Sequence, residues 1–195
     1  MFTGIITDLG RIRSVESRGD TRIVFETAFD TAAIDTGASI ACSGVCLTVI
    51  DKGPDWFSSD LSAETLARST AADWRAGTPI NLERSLKLGD ELGGHLVYGH
   101  VDGVGVLAER WADGDSHRLS IQAPADVLRF VAEKGSVTVD GVSLTVNRVN
   151  DDTFDVSIIP HTARETTLGK SQPGTRVNLE IDMLARYVQR LLAKD

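Results

Sequence analysis

Around residue 45 the chain alternates apolar and small polar positions with a period of two. Val45, Leu47 and Val49 fall on one side of an extended strand, and Gly44, Cys46 and Thr48 on the other. The alternation recurs near residue 142, where Val142, Leu144 and Val146 oppose Gly141, Ser143 and Thr145. Such a period predicts half-buried strands with the apolar side turned to a core. Similar runs of Val, Ile and Thr, punctuated by Gly and Asp, predict strands at 3–15, 21–28, 38–51, 55–61 and 78–84. A second set is predicted at 97–110, 117–123, 135–149, 153–159 and 175–181. Helical spacing is sparse. It is confined to Pro124 with ADVLRFVAEK, short turns after Glu64 and His161, and Asp182–Ala193. In the last of these, Leu184, Tyr187, Val188, Leu191 and Leu192 share a face. A helix of about twelve residues is marginal alone in water, so this stripe calls for a partner, either its own chain or another subunit.

The two strand sets are one pattern used twice. Shifted by 97 residues, ASIACSGVCLTV (38–49) falls on GSVTVDGVSLTV (135–146) with six identities in twelve. GTPINLE (77–83) falls on GTRVNLE (174–180) with five in seven. Phe57 meets Phe154, Thr65 meets Thr162 and Thr70 meets Thr167. Near the start the offset is 95, and Gly4 meets Gly99. A unit this long is a domain, not a solenoid repeat. The expected fold is all-β: two tandem, similar antiparallel β-barrels or sandwiches from an internal duplication, plus a C-terminal α-helix. The expected divisions are 1–94, 95–184 and a helical tail 185–195.

Composition narrows the partners. Twenty Lys+Arg against 28 Asp+Glu give a net charge of −8, a field that repels nucleic-acid phosphates. Apolar runs are far shorter than the ~20 residues of a membrane helix. The N-terminus lacks the basic and apolar regions of a signal peptide, so the expected location is cytoplasmic. Cys42 and Cys46 lie four strand residues apart, about 13 Å, too far for a disulfide, and free thiols fit a reducing compartment.

Few residues offer chemistry. The Cys46/Thr48 and Ser143/Thr145 faces, each beside a glycine, read as two small-polar shelves for a flat ligand, or as plain solvated strand faces. Two related shelves point to two related ligands. His95 and His100 bracket the inter-domain junction and are either proton movers or structural hydrogen bonders. Their spacing is not a zinc pair, and no metal is expected. Cys46 is a candidate nucleophile or a small buried thiol, and Cys42 reads as packing. Lys134, at the mouth of the second shelf strand, is a candidate ligand contact. Gly103-Val-Gly105 imitates a dinucleotide fingerprint, but it continues as a strand and not into a helix.

At these residues the chain resembles the riboflavin synthase family (α-chain type). The resemblance is carried by MFTGII at the start, Cys46-Leu47-Thr48, Gly93-Gly94-His95-Leu96 with Gly99-His100-Val101, and Asp140-Gly141-Val142-Ser143-Leu144-Thr145. Ile159-Pro160-His161-Thr162 and TTLGK (166–170) extend it to about residue 185. It implies two six-stranded Greek-key lumazine-binding barrels, no cofactor, and a homotrimer assembled through the terminal helix. The active site is then shared between the first barrel of one subunit and the second barrel of a neighbour. Lumazine synthase is the candidate macromolecular partner. The implied reaction is a dismutation of two 6,7-dimethyl-8-ribityllumazine molecules to riboflavin and 5-amino-6-ribitylaminouracil. One substrate is expected on Gly4, Ile5 and Ile6 with Cys46, Leu47 and Thr48, and on Asp60, Leu61, Ser62, Ala63, Glu64 and Thr65. The other is expected on Gly99, His100 and Val101 with Lys134, Ser143, Leu144 and Thr145, and on Ser157, Ile158, Ile159, Pro160, His161 and Thr162. His100, Cys46 and Ser143 are the expected catalytic groups, with Asp182, Thr145 and Phe2 behind them. Two positions depart from the family pattern: Val45 replaces one of two adjacent cysteines, and His161 stands where an acid is common. A non-catalytic lumazine or flavin carrier is the rival reading. A flavin reductase domain is disfavoured, because the duplicated chain leaves no room for a nicotinamide domain.

Overall fold

The computed structural model describes residues 1–192. The first half contains β1 (Asp8–Arg18), β2 (Asp20–Glu26), β3 (Ser39–Cys42), β4 (Val45–Thr48), β5 (Asp51–Gly53), β6 (Trp56–Leu61), α1 (Ala63–Arg68) and β7 (Pro79–Arg84). The second contains β8 (Gly103–Asp113), β9 (Ser116–Gln122), α2 (Ala125–Leu128), β10 (Ser136–Val139), β11 (Val142–Val149), β12 (Thr153–Ile158), α3 (Pro160–Glu165) and β13 (Arg176–Ile181). Helix α4 (Met183–Leu192) follows. Among the described residues no helix is long and apolar enough to cross a membrane.

The second half closes into a six-stranded barrel, β10-β11-β12-β9-β8-β13. The first half corrects the expectation of two closed barrels. It forms a curled seven-stranded sheet, β4-β3-β7-β1-β2-β6-β5. Its order repeats that of the barrel, but the strand equivalent to β11 is split between β4 and β5 at Val49 and Ile50. In β11 the ladder runs past the same place with a register shift between Val146 and Arg148. One position is therefore a bulge in one half and a break in the other. Ile50 N still donates to Ser58 O at 2.9 Å, which keeps the two sheet ends together.

The single strands predicted at 38–51 and 135–149 are each hairpins. Their two-residue turns are Ser43-Gly44 (φ 42° and 81°) and Asp140-Gly141 (φ 48° and 76°). Both central residues are left-handed, the conformation whose twist matches flanking strands and which Asp-Gly sequences favour. Strands β1 and β8 also begin later than predicted, because residues 1–7 and 95–102 leave the sheets as arms. The helix expected after Pro124 lasts only one turn, Ala125–Leu128.

Burial follows the alternation. Val45, Leu47, Val142 and Leu144 are buried, Cys46 and Ser143 are half-buried, and Thr48 and Thr145 are exposed. The first core stacks Phe25 on Phe57 at 4.9 Å beneath Trp74, and the second gathers Phe154 with Leu107, Leu119 and Leu179. Each such side chain contributes about 1.5–3 kcal/mol by leaving water.

The halves meet back to back through an exchange that obeys the repeat. Asn81 Nδ2 donates to Asp140 O at 2.9 Å, and Thr167 N donates to Asn81 Oδ1 at 2.8 Å. Its counterpart Asn178 donates to Ser43 O at 2.8 Å, and its Oδ1 accepts from Thr70 N at 2.7 Å. Gly44 and Gly141 touch at the centre, where a Cβ on either would fall 2.7 Å from the other's backbone nitrogen.

Candidate active site

The two arms cross. Phe2 and Val97 pair as an antiparallel bridge, with Phe2 N donating to Val97 O at 2.7 Å and Val97 N to Phe2 O at 3.0 Å. Beyond the bridge each arm leaves its own half and lies on the shelf strand of the other. Cys46 N donates to Gly99 O, and Ser143 N donates to Gly4 O, both at 2.8 Å. Ile6 packs against the second core and Val101 against the first. This reverses the expected grouping. Gly4, Ile5 and Ile6 belong with Ser143, whereas Gly99, His100 and Val101 belong with Cys46.

The Cys46 shelf opens on a cavity of about 210 Å³. Its walls are β4, the second arm and α1, through Cys46, His100, Val101, Glu64, Thr65 and Arg68. Helix α1 is fixed by Ser62, whose Oγ accepts from Thr65 N at 3.2 Å, and Glu64 pairs with Arg68 at 2.8 Å. The His100 ring stacks on Tyr98 at 5.6 Å. Cys42 and Cys46 are both free. Burial pushes the Cys42 thiol well up, consistent with packing alone.

At the other shelf, Ser143 Oγ lies 2.7 Å from His95 Nδ1 in a hydrogen bond. The sequence favoured His100 over His95, yet it is His95 that reaches a shelf hydroxyl. Both histidines lie in GGHLVYGH (93–100), and only the folded arm separates their roles. His95 is buried, and among the described residues its Nε2 has no hydrogen-bond partner. Burial holds its pKa below the ordinary imidazole value, against the pull of Asp182. Burial therefore favours the neutral form of the imidazole bonded to Ser143. Asp182 is half-buried and caps α4, its Oδ1 accepting from Leu184 N at 2.9 Å.

Other expected contacts divide sharply. Phe2 is fully buried, so its ring braces the crossing and does not face a ligand. Leu47, Leu61, Leu144 and Ile158 point into the cores and offer a ligand backbone only. Asp60 is bound to Arg22 by two hydrogen bonds at 2.9 and 3.2 Å. Ala63 begins α1 as Pro160 begins α3, beside exposed Ile159 and His161 and half-buried Ser157 and Thr162. Lys134 is exposed and left-handed (φ 65°), at the turn that enters β10.

Comparison with known proteins adds three findings. The Lumazine binding domain family matches residues 3–85 and again 98–182. The riboflavin synthase of Brucella abortus is 51% identical over 98% of each chain. That of Mycobacterium tuberculosis is 47% identical over 98% of each, and that of Photobacterium phosphoreum 42% identical over 100% of this chain and 90% of its own. Among solved structures, LumP complexed with 6,7-dimethyl-8-(1'-D-ribityl) lumazine superposes with a TM-score of 0.83 at 22% identity. The match covers 93% of this chain and 99% of LumP, and shows the shared fold.

Proposed function

The chain belongs to the riboflavin synthase family, and from that footing we propose how its two crossed shelves divide the work. It is a riboflavin synthase enzyme, a transferase that binds dimethylribityllumazine. The observation that carries the reading is the duplicated site. Each shelf joins a strand of one half to an arm of the other, and only one of the two carries a Ser143–His95 pair.

Two identical substrates placed face to face need unlike environments, one to lose a proton and one to accept a carbanion. The lumazine 7-methyl group is acidic because its carbanion delocalises into the ring. His95, kept neutral by burial, takes up that proton through the Ser143 hydroxyl. Cys46 and His100 serve the electrophilic partner, the thiol as transient nucleophile or proton carrier. Holding both rings in register removes much of the entropic barrier. No external oxidant is needed, since two lumazines contain the atoms of both products.

The units 1–94 and 95–184 are read as the two lumazine-binding domains and 185–195 as an assembly segment, of which 193–195 lie outside the described residues. Helix α4 leaves Leu184, Tyr187, Val188, Leu191 and Leu192 exposed. That supports a homotrimer in which the Cys46 shelf of one subunit faces the Ser143 shelf of the next. A cytoplasmic location agrees with two free thiols. Lumazine synthase is carried as the candidate partner, tested by co-sedimentation. The deciding assay for function supplies purified protein with 6,7-dimethyl-8-ribityllumazine alone. Riboflavin absorbance should grow as lumazine disappears; an unchanged lumazine spectrum would mark a carrier instead.

A further inference from the structure

Glu83 and Glu180 close the repeated NLE sequences, on β7 and β13, and both are buried. Each carboxylate is spent on an arm. Glu83 accepts from Thr3 N and Thr3 Oγ1, both at 2.7 Å, and from Gly4 N at 2.9 Å. Glu180 accepts from Tyr98 N at 2.7 Å, Gly99 N at 2.8 Å and His100 N at 3.0 Å. Among the described residues neither forms an ion pair with a basic side chain. A buried carboxylate without a counter-charge costs stability, so its retention is not explained by packing. A Gln in its place would offer one oxygen and turn an NH2 toward backbone N–H groups.

We infer that Glu83 and Glu180 are positioning residues for the reaction, holding Gly4 against Ser143 and Gly99 with His100 against Cys46. The inference rests on reading the shelves as the lumazine sites. Neither residue touches substrate; each acts through its arm. The two are not equal. Glu83 also has the Thr3 hydroxyl, whereas Glu180 depends on backbone amides alone. Burial lifts Glu180 to about 7, with Asp102 adding to the lift and the three amides opposing it. The groups around it are Tyr98 and His100 on the arm, Arg186 and Tyr187 on α4, and Asp102, which accepts from Ile181 N at 2.9 Å and pairs with Arg186 at 2.6 Å. Because the closed arm buries Glu180 and lifts it, closure favours the neutral carboxyl: the arm is held on the Cys46 shelf below about 7 and loosens as pH rises through that value and the buried carboxylate ionises.

The test follows riboflavin formation from 6,7-dimethyl-8-ribityllumazine by wild type, Glu180→Gln and Glu83→Gln, between about pH 6 and about pH 9. Wild type should lose kcat on the alkaline side of a limb near 7. Glu180→Gln should lower kcat about tenfold or more and abolish that limb, while Glu83→Gln lowers kcat and keeps it. A folded Glu180→Gln with wild-type kcat, or with the limb intact, overturns the proposal. Absence of riboflavin from wild type overturns the functional reading instead. Amide exchange in wild type covers a variant that fails to fold. After correction for intrinsic rates, Tyr98, Gly99 and His100 should exchange about tenfold faster at about pH 8 than at about pH 6; equal protection overturns the proposal.

Discussion

Gly4 of the first arm presses on Ser143 of the opposite barrel so closely that a Cβ at Gly4 would fall 2.5 Å from Ser143 Cβ. Gly99 has the same relation to Cys46, at 2.7 Å. Both glycines are left-handed, with φ of 78° and 75°. Gly99→Ala therefore meets a steric and a backbone penalty together, of about 1–3 kcal/mol each. The expected result is a lower melting temperature and a disproportionate loss of turnover, read by calorimetry and by riboflavin formation on the same preparation.

Cys46→Ala and Ser143→Ala remove half-exposed groups and should leave melting within about 0.5–1 kcal/mol of wild type, while turnover falls about a hundredfold. Val142→Asp points the other way, placing an unpaired charge in the second core. It should unfold that barrel. A melted Ser143→Ala beside an intact Val142→Asp would reverse the assignment of faces.

His95→Ala should reduce turnover about a hundredfold or more by leaving Ser143 without its imidazole. Because burial lowers the His95 pKa, the fold favours the neutral ring. The stability it contributes is present above the ordinary imidazole range and is lost as pH falls through the lowered value. NMR titration of the ring should place its midpoint below the ordinary imidazole value.

Asp140 gives the opposite pH signature. Burial raises it from 3.8 to about 7, so its contribution to stability is present below 3.8 and lost as pH rises through 7. Asp140→Asn keeps an oxygen for the amide of Asn178, which now donates to Oδ1 at 2.8 Å, and Asn tolerates the left-handed turn. The variant should melt higher than wild type by roughly 1–3 kcal/mol at about pH 8, and the gain should vanish on acidification. Thermal melts at two pH values settle it.

Val188→Glu or Leu191→Glu places a charge in the apolar stripe of α4, most of which its own chain leaves exposed. Light scattering should show wild type as a trimer and either variant as a smaller species, with turnover falling as the shared site comes apart.

The strands were legible because period-two burial is local: Cys46 and Ser143 turn outward as their neighbours' hydropathy requires, whereas the closure of only the second half was not. The hairpin turns were passed over because apolar residues flank Ser43-Gly44 and Asp140-Gly141 closely enough to imitate one long strand. Asp-Gly within such a run was the available signal. The crossing was not legible. Gly4 and Ser143 stand 139 positions apart (143 − 4), and no spacing along a chain announces a contact between one half's arm and the other half's strand. His95 was lost for the same reason, since its partner hydroxyl belongs to a strand 48 residues away. Glu83 and Glu180 were visible as repeat identities, but their purpose depends on where the arms go.

Because each half carries the other's cover, the linker between them is not what keeps them together. The stretch from Lys87 to Leu92 is exposed and bonds mainly to itself, Lys87 N donating to Asp90 Oδ2 at 2.7 Å. A protease that clips there would yield two fragments on a denaturing gel from a particle that still migrates as one under native conditions.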